Sequence, residues 1–124
     1  MASTPFNIHE PKVDLTVTSG TVNFTITTSY AYRQGNHIHA EVYGSFAADV
    51  TNGNEVPFFT ISGIKAPSAN KFVGSVTIMD SSAKPIYSVP SLAQLRPNKY
   101  IYQRVTTALS AGYRLGFIVD YVDD

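Results

Sequence analysis

Residues 35–48 read Gly-Asn-His-Ile-His-Ala-Glu-Val-Tyr-Gly-Ser-Phe-Ala-Ala, and apolar and polar side chains alternate along them. Ile38, Val42 and Phe46 belong to one set, and the residues between the apolar positions form the other. Successive side chains of a strand point to opposite faces, so this alternation predicts a half-buried β-strand. An amphipathic helix would instead repeat its apolar residues at spacings of three and four. We therefore expect this strand to form one wall of the core.

Similar alternation recurs along the rest of the chain and is separated by turn-forming residues. Residues 21–32, 72–79 and 113–122 alternate in the same way, and Phe72 falls in the apolar set of its segment. Only residues 91–96 have any helical tendency, and Pro97 limits it to about one turn. Seven or eight such strands predict an all-β, antiparallel β-sandwich of the jelly-roll type. We expect a lead-in with a first short strand at residues 1–20 and the sandwich domain at 21–124.

The composition excludes several classes of protein. The 124 residues suffice for one core, and only 15% are charged, whereas the chain contains eight Tyr and seven Phe. With no Cys, it has neither disulfides nor a thiolate site. Net charge is zero, so no basic footprint for nucleic acid is present. No apolar run reaches the roughly 20 residues that a membrane-inserted helix needs, and no signal peptide is visible.

Three short segments follow one another in a suggestive order. They are Tyr-Arg-Gln-Gly-Asn at residues 32–36, Ile-Ser-Gly-Ile-Lys-Ala-Pro at 61–67, and Ala-Leu-Ser-Ala-Gly-Tyr at 108–113 with the strand that follows it. Together they resemble the C-terminal receptor-binding head domains of tailed-bacteriophage fibre and baseplate proteins. The resemblance extends over residues 21–122.

That resemblance implies a β-sandwich that assembles as a homotrimer and attaches a virion to a host cell-wall saccharide. It also implies a place at the tail tip or in a fibre, joined to other virion tail proteins through the N-terminus. Such a protein is made in the host cytoplasm without a signal peptide. We therefore expect a non-enzymatic binding domain without a cofactor. The alternative within the same architecture is a structural trimeric cap or a virion decoration protein that has no ligand.

Tyrosine, arginine and aspartate side chains supply the expected saccharide surface. Aromatic rings stack on the apolar faces of sugars, and charged side chains bind sugar hydroxyls. The candidate ligand-binding residues are Tyr100, Tyr102, Arg104, Tyr43, Arg114 and Asp120. Packing between subunits is the alternative role of the tyrosines, because Tyr is enriched at interfaces. Arg114 and Asp120 share one face of the last strand and indicate a surface or interface pair rather than catalytic groups.

A His-x-His-x-Glu pattern on the central strand raises the possibility of a metal site. His37, His39 and Glu41 share one face, with neighbours about 6.5 Å apart, and such ligands can hold zinc or iron. A metal-dependent small β-barrel enzyme is therefore a further alternative. No His follows His39 and only His9 could assist, so solvated histidines are the favoured interpretation. In a trimer, three His-x-His pairs could also bind a structural metal on the axis.

Overall fold

A computed structural model of the chain describes residues 10–20, 24–49, 55–86, 92–104 and 110–123. These residues form nine strands and no helix, so none of them belongs to a helix that could cross a membrane. The predicted all-β, antiparallel fold is confirmed. The strands are β1 (Lys12–Asp14), β2 (Val17–Ser19), β3 (Phe24–Gln34), β4 (His37–Phe46), β5 (Glu55–Ile61), β6 (Lys71–Met79), β7 (Leu92–Leu95), β8 (Tyr100–Arg104) and β9 (Arg114–Val122).

All nine strands belong to one antiparallel sheet in the order β1-β3-β4-β9-β6-β7-β8-β5-β2. The two edge strands, β1 and β2, are separated in the chain by only Leu15 and Thr16. The Leu15 N–H donates to the Ala31 carbonyl of β3 at 3.0 Å. The Thr16 carbonyl accepts from the N–H of Ser62, just after β5, at 2.9 Å. The sheet is therefore curled until its two edges meet at this point.

The inner face of the curled sheet carries the core. The alternation predicted for β4 is confirmed, because Ile38, Ala40 and Val42 are buried whereas His39 and Glu41 are partly exposed. Phe58 of β5 packs against Phe117 of β9, with ring centroids 5.1 Å apart. These two strands are far apart in the strand order, so the contact joins opposite parts of the inner face. Burying a side chain such as Phe58 contributes about 2 kcal/mol to folding.

The helical tendency expected at residues 91–96 is wrong for the described residues of that segment. Leu92–Leu95 is strand β7, which pairs with β6 on one side and β8 on the other. Ala93 and Leu95 are buried, whereas Leu92 is exposed and Gln94 partly so. Pairing with two neighbouring strands satisfies the backbone, and this tertiary context outweighs the weak local propensity of so short a segment.

A β-bulge in β6 moves Phe72 out of the core. The register with β7 shifts between Phe72 and Gly74, so Val73 is buried and Phe72 is exposed. The expectation that Phe72 lies with the apolar set of its segment is therefore wrong. Gly74 permits this geometry, because a Cβ there would lie 1.9 Å from the Ile118 carbonyl oxygen. A bulge leaves one extra residue in a strand and thereby reverses its alternation.

A buried ion pair connects three distant parts of the chain. Arg33, at the end of β3, donates to the Gly63 carbonyl at 2.8 Å and to the Asp123 carboxylate at 2.5 Å. The Lys65 N–H lies 3.2 Å from the Asp123 carboxylate. Asp123 follows β9 directly, so one contact joins the β3–β4 turn, the connector after β5 and the end of the last strand. We call Arg33, Gly63, Lys65 and Asp123 the Arg33 cluster.

Candidate functional site

The outer surface of β3, β4 and β9 carries a concentration of tyrosine, histidine and carboxylate side chains. In the register of these strands, Glu41 lies opposite Tyr30 of β3 and opposite Ile118 of β9. Directly opposite residues point to the same face, with Cβ atoms about 5 Å apart. We call this surface the β4 face. Its members are Tyr30, Tyr32, His37, His39, Glu41, Tyr43, Ile118 and Asp120.

Carboxylates and imidazoles alternate in a chain of contacts along the β4 face. Nε2 of His37 lies 2.6 Å from Oδ1 of Asp120, and Oδ2 of Asp120 lies 3.5 Å from Nδ1 of His39. The other nitrogen of His39 lies 3.1 Å from Oε2 of Glu41. Tyr43 donates its hydroxyl proton to Oε1 of Glu41 at 3.2 Å. Side chains from two strands are thus joined in one polar network.

These contacts fix the charge states at one end of the network. The hydrogen bonds from His39 and from Tyr43 lower the pKa of Glu41, whereas desolvation opposes them only in part. Desolvation raises the pKa of Tyr43, and the hydrogen bond to Glu41 raises it further. At neutral pH the face therefore presents an ionised carboxylate beside a protonated phenol.

Two tyrosine rings on the β4 face are open to solvent beside that carboxylate. Tyr30 is 47% exposed and Tyr43 is 38% exposed. A Cβ at Gly116 would lie 3.0 Å from two carbons of the Tyr43 ring, so the ring lies over this glycine. Gly116 is directly opposite Tyr43 on β9, and its lack of a side chain lets the ring approach the sheet closely.

The ring of Tyr32 lies deeper in the same cluster. Its centroid is 5.3 Å from that of His39 and 5.5 Å from that of Tyr30. The ammonium of Lys12, on the neighbouring strand β1, lies 4.6 Å from the centre of the Tyr32 ring. Tyr32 therefore supports its neighbours and holds a cation supplied by the protein itself.

The geometry does not support the predicted metal site. His37 contacts Asp120 rather than converging with His39 and Glu41, and both nitrogens of His39 face carboxylate oxygens. Both ring nitrogens of His39 are therefore directed at carboxylates of the protein and not at a position shared with His37. Within the described ranges, no group of three or more acidic or histidine side chains is arranged to hold a metal ion. His9 lies outside the described residues.

Tyr100 and Tyr102 lie on the outer surface of β8, which is separated from β9 by β6 and β7. Tyr102 is already engaged within the protein. The guanidinium of Arg96 lies 4.0 Å from the centre of its ring, and Asn98 donates to its hydroxyl at 2.7 Å. Arg104 belongs to β8, but its side chain lies outside the described part of the chain.

Arg114 lies on the same outer surface as Tyr43, two positions along β9 from the Gly116 that is directly opposite Tyr43. It begins β9 opposite Ser45 and lines a shallow depression of about 300 Å³ with Thr27 and Gly44. It is six positions from Asp120 on the same strand, which corresponds to about 20 Å. Of the predicted ligand-binding residues whose side chains are described, Tyr43, Arg114 and Asp120 therefore share the outer surface of β4 and β9, whereas Tyr100 and Tyr102 lie on β8.

Sequence reasoning missed Tyr30, Tyr32 and Ile118 as members of this surface. The information was present in the two-residue turn at Gly35 and Asn36, because the length of a hairpin turn fixes the register of its strands. That register places Tyr32 opposite His39 and Tyr30 opposite Glu41. The pairing of β4 with β9 brings Ile118 next to Glu41. These strands are far apart in the chain, and no turn between them fixes their register.

Comparisons with known proteins identify no relative of this chain. No protein-family model, curated protein or solved structure matches the chain. We therefore infer function from the β4 face and from the resemblance of the three sequence segments.

Proposed function

We propose that this chain is the non-enzymatic receptor-binding domain of a phage tail-fibre or baseplate protein, and that it recognises a host-surface saccharide through the β4 face. The observation that carries this proposal is the exposure of Tyr30 and Tyr43 on either side of the Glu41 carboxylate. Tyrosine rings stack on the apolar faces of sugars. A carboxylate accepts hydrogen bonds from sugar hydroxyls. The β4 face offers both at neighbouring positions.

The β4 face is favoured over the surface of β8. On β8, Arg96 covers the ring of Tyr102 and Asn98 binds its hydroxyl, so a ligand would have to displace contacts that the protein already makes. On the β4 face, Tyr30 and Tyr43 are both exposed, and the carboxylates keep solvent-facing oxygens for further hydrogen bonds.

The proposed working form is a β-sandwich assembled as a homotrimer. Contacts such as that between Phe58 and Phe117 support a sandwich, because they join separate parts of one curled sheet. Phe72 is 66% exposed on β6 and Leu92 is 53% exposed on β7, and large exposed apolar side chains favour a subunit contact. Several trimers on one virion would raise the avidity of a weak site by roughly 10² to 10⁴. Mass measurement in solution is expected to give a trimer, and a monomer would contradict this form.

A glycan array tests the binding function. The purified protein is expected to bind a restricted set of saccharides, and Tyr30→Ala is expected to lower the affinity about tenfold, as loss of one aromatic contact does. Tyr102→Ala is the matched control and is expected to bind as the wild type does. An array that stays blank for the oligomeric protein would contradict saccharide recognition and favour the structural cap.

A further inference from the structure

The charges on and beside the β4 face are predominantly negative. Glu41 and Asp120 lie on the face, and Asp14 of β1 lies opposite Tyr32 at its border. Three carboxylates thus stand against two cations, Lys12 beside Tyr32 and Arg114 beyond Tyr43. Arg114 lies on the same outer surface, two positions along β9 from the Gly116 that is directly opposite Tyr43. The face therefore favours a cationic ligand over an anionic one whenever its two imidazoles are neutral.

The aromatic cluster of the β4 face already holds an ammonium group. Lys12 Nζ lies 4.6 Å from the centre of the Tyr32 ring, within the distance at which a cation is attracted to an aromatic face. Among the described cation–ring contacts, none involves Tyr30 or Tyr43. These two exposed rings offer an external cation the environment that Tyr32 offers to Lys12.

We propose that an ammonium group of the ligand binds between Tyr30, Glu41 and Tyr43, so that the recognised saccharide carries free amines rather than acidic or fully N-acetylated sugars. Tyr30 lies directly opposite Glu41, and Tyr43 lies two positions along β4 from it. Cβ atoms at such diagonal positions are about 7 Å apart, so the two exposed rings are near neighbours of the same carboxylate. Ile118 closes the β9 side of this position.

Three further features of the position suit an ammonium. The Glu41 carboxylate stays ionised at neutral pH because hydrogen bonds from His39 and Tyr43 lower its pKa. Its oxygens remain at the surface and can accept an additional N–H bond. An aromatic ring attracts an organic cation, and a carboxylate beside it adds a charge-assisted hydrogen bond to an ammonium N–H. The identity of the ligand as a saccharide rests on the proposed function, whereas the ammonium position stands on this geometry alone.

Calorimetric titration with three tetrasaccharides tests the inference. We expect the free-amine tetramer of glucosamine to bind about tenfold more tightly than the tetramer of N-acetylglucosamine, and the tetramer of galacturonic acid to bind most weakly. Glu41→Gln is expected to abolish the preference for the amine. Glu10→Gln removes the same charge outside the β4 face and is expected to preserve it. Tighter binding of the acetylated or acidic tetramer, or a preference that survives Glu41→Gln, would overturn the inference.

A second probe separates the ammonium position from saccharide binding. Choline and 3,3-dimethylbutan-1-ol have the same shape but differ in charge, and only choline is expected to shift the NMR signals of Tyr30 and Tyr43. If choline binds and no saccharide does, the ammonium position stands and the saccharide function fails. If acetylated or acidic saccharides bind and choline does not, the saccharide function stands and the ammonium position fails. If neither binds, both proposals are overturned.

Discussion

Asp120 and Asp123 lie three residues apart at the end of the last strand, yet the protein uses them in opposite ways. The Asp123 side chain is 3% exposed and is enclosed by Arg33 and the Lys65 N–H. The Asp120 side chain is 53% exposed and faces the imidazoles of His37 and His39. The same type of residue thus holds the fold in the Arg33 cluster and, in the proposed function, presents charge to a ligand on the β4 face.

Arg33→Ala is expected to have the largest effect on stability. It leaves the Asp123 carboxylate buried without its cation, and breaking a buried pair in this way costs about 3 kcal/mol or more. Urea unfolding measures the loss. Arg114→Ala removes an exposed arginine from β9 and is expected to change the free energy of unfolding by less than about 0.5 kcal/mol. Equal losses for the two variants would show that the Arg33 cluster does not hold the fold.

The double variant Tyr30→Ala/Tyr43→Ala is expected to separate binding from folding. Both rings are exposed, so their loss should leave the urea midpoint close to that of the wild type. Saccharide affinity should fall by tenfold or more, because both stacking platforms are gone. Calorimetric titration beside urea unfolding checks the two halves of the prediction. A large loss of stability with unchanged affinity would assign the rings to the fold instead.

Tyr121 lies between Asp120 and Asp123 in the chain, and loss of its hydroxyl is expected to change the free energy of unfolding by an intermediate amount. Its hydroxyl is buried and has no hydrogen-bond partner among the described residues, and leaving such a group unpaired is costly. Tyr121→Phe is therefore expected to raise the free energy of unfolding by about 1 kcal/mol at neutral pH. Tyr30→Phe, at an exposed ring, is the control and is expected to change little.

Tyr121 is also expected to affect how the free energy of unfolding changes at alkaline pH. Burial, and to a lesser degree Asp123, raises the pKa of Tyr121 well above its ordinary value, whereas Arg33 lowers it. A raised pKa in the folded state stabilises the protein fully below the ordinary tyrosine pKa of about 10 and loses this contribution as pH rises above it. Urea unfolding at pH values around 10 should show a shallower decline for Tyr121→Phe. An unchanged decline would contradict this role.

Glu41→Gln is expected to have the smallest effect on stability. The contacts with His39 and Tyr43 lower the pKa of Glu41 from 4.5, so the ionised form stabilises the folded state above that value. This contribution is lost as pH falls through the lower, folded-state pKa. Thermal midpoints measured through the acid range should therefore fall less steeply for Glu41→Gln than for Glu10→Gln. Parallel curves would show that the network on the β4 face does not affect folding.

Local alternation and turn chemistry predicted much of the fold. The inner positions of β4, such as Ile38 and Val42, are buried as expected, and Leu115 and Phe117 of β9 follow the same rule. These assignments succeeded because each strand has one buried face, which fixes its pattern with a period of two. A two-residue turn at residues 35–36 joins β3 to β4, and Gly and Asn are typical of such turns.

The pairing of strands that are far apart in the chain could not be predicted from the sequence. The bulge that exposes Phe72 arises from the register of β6 against β7, and no local feature of the sequence predicts it. The same holds for the candidate site, because Asp120 reaches His37 only through the pairing of β4 with β9. Tyr102 was predicted from its residue type, and its engagement by Arg96 follows from the turn before β8. The chemical type of a functional side chain was therefore easier to predict than its contacts in the folded protein.

An NMR titration of the isotope-labelled protein with the saccharide selected by the glycan array tests the central claim most directly. The β4 face as recognition surface predicts that the largest changes in amide shift occur at Tyr30, Glu41 and Tyr43, while Tyr100 and Tyr102 stay unchanged. Large changes at Tyr100 and Tyr102 with an unperturbed β4 face would contradict the claim.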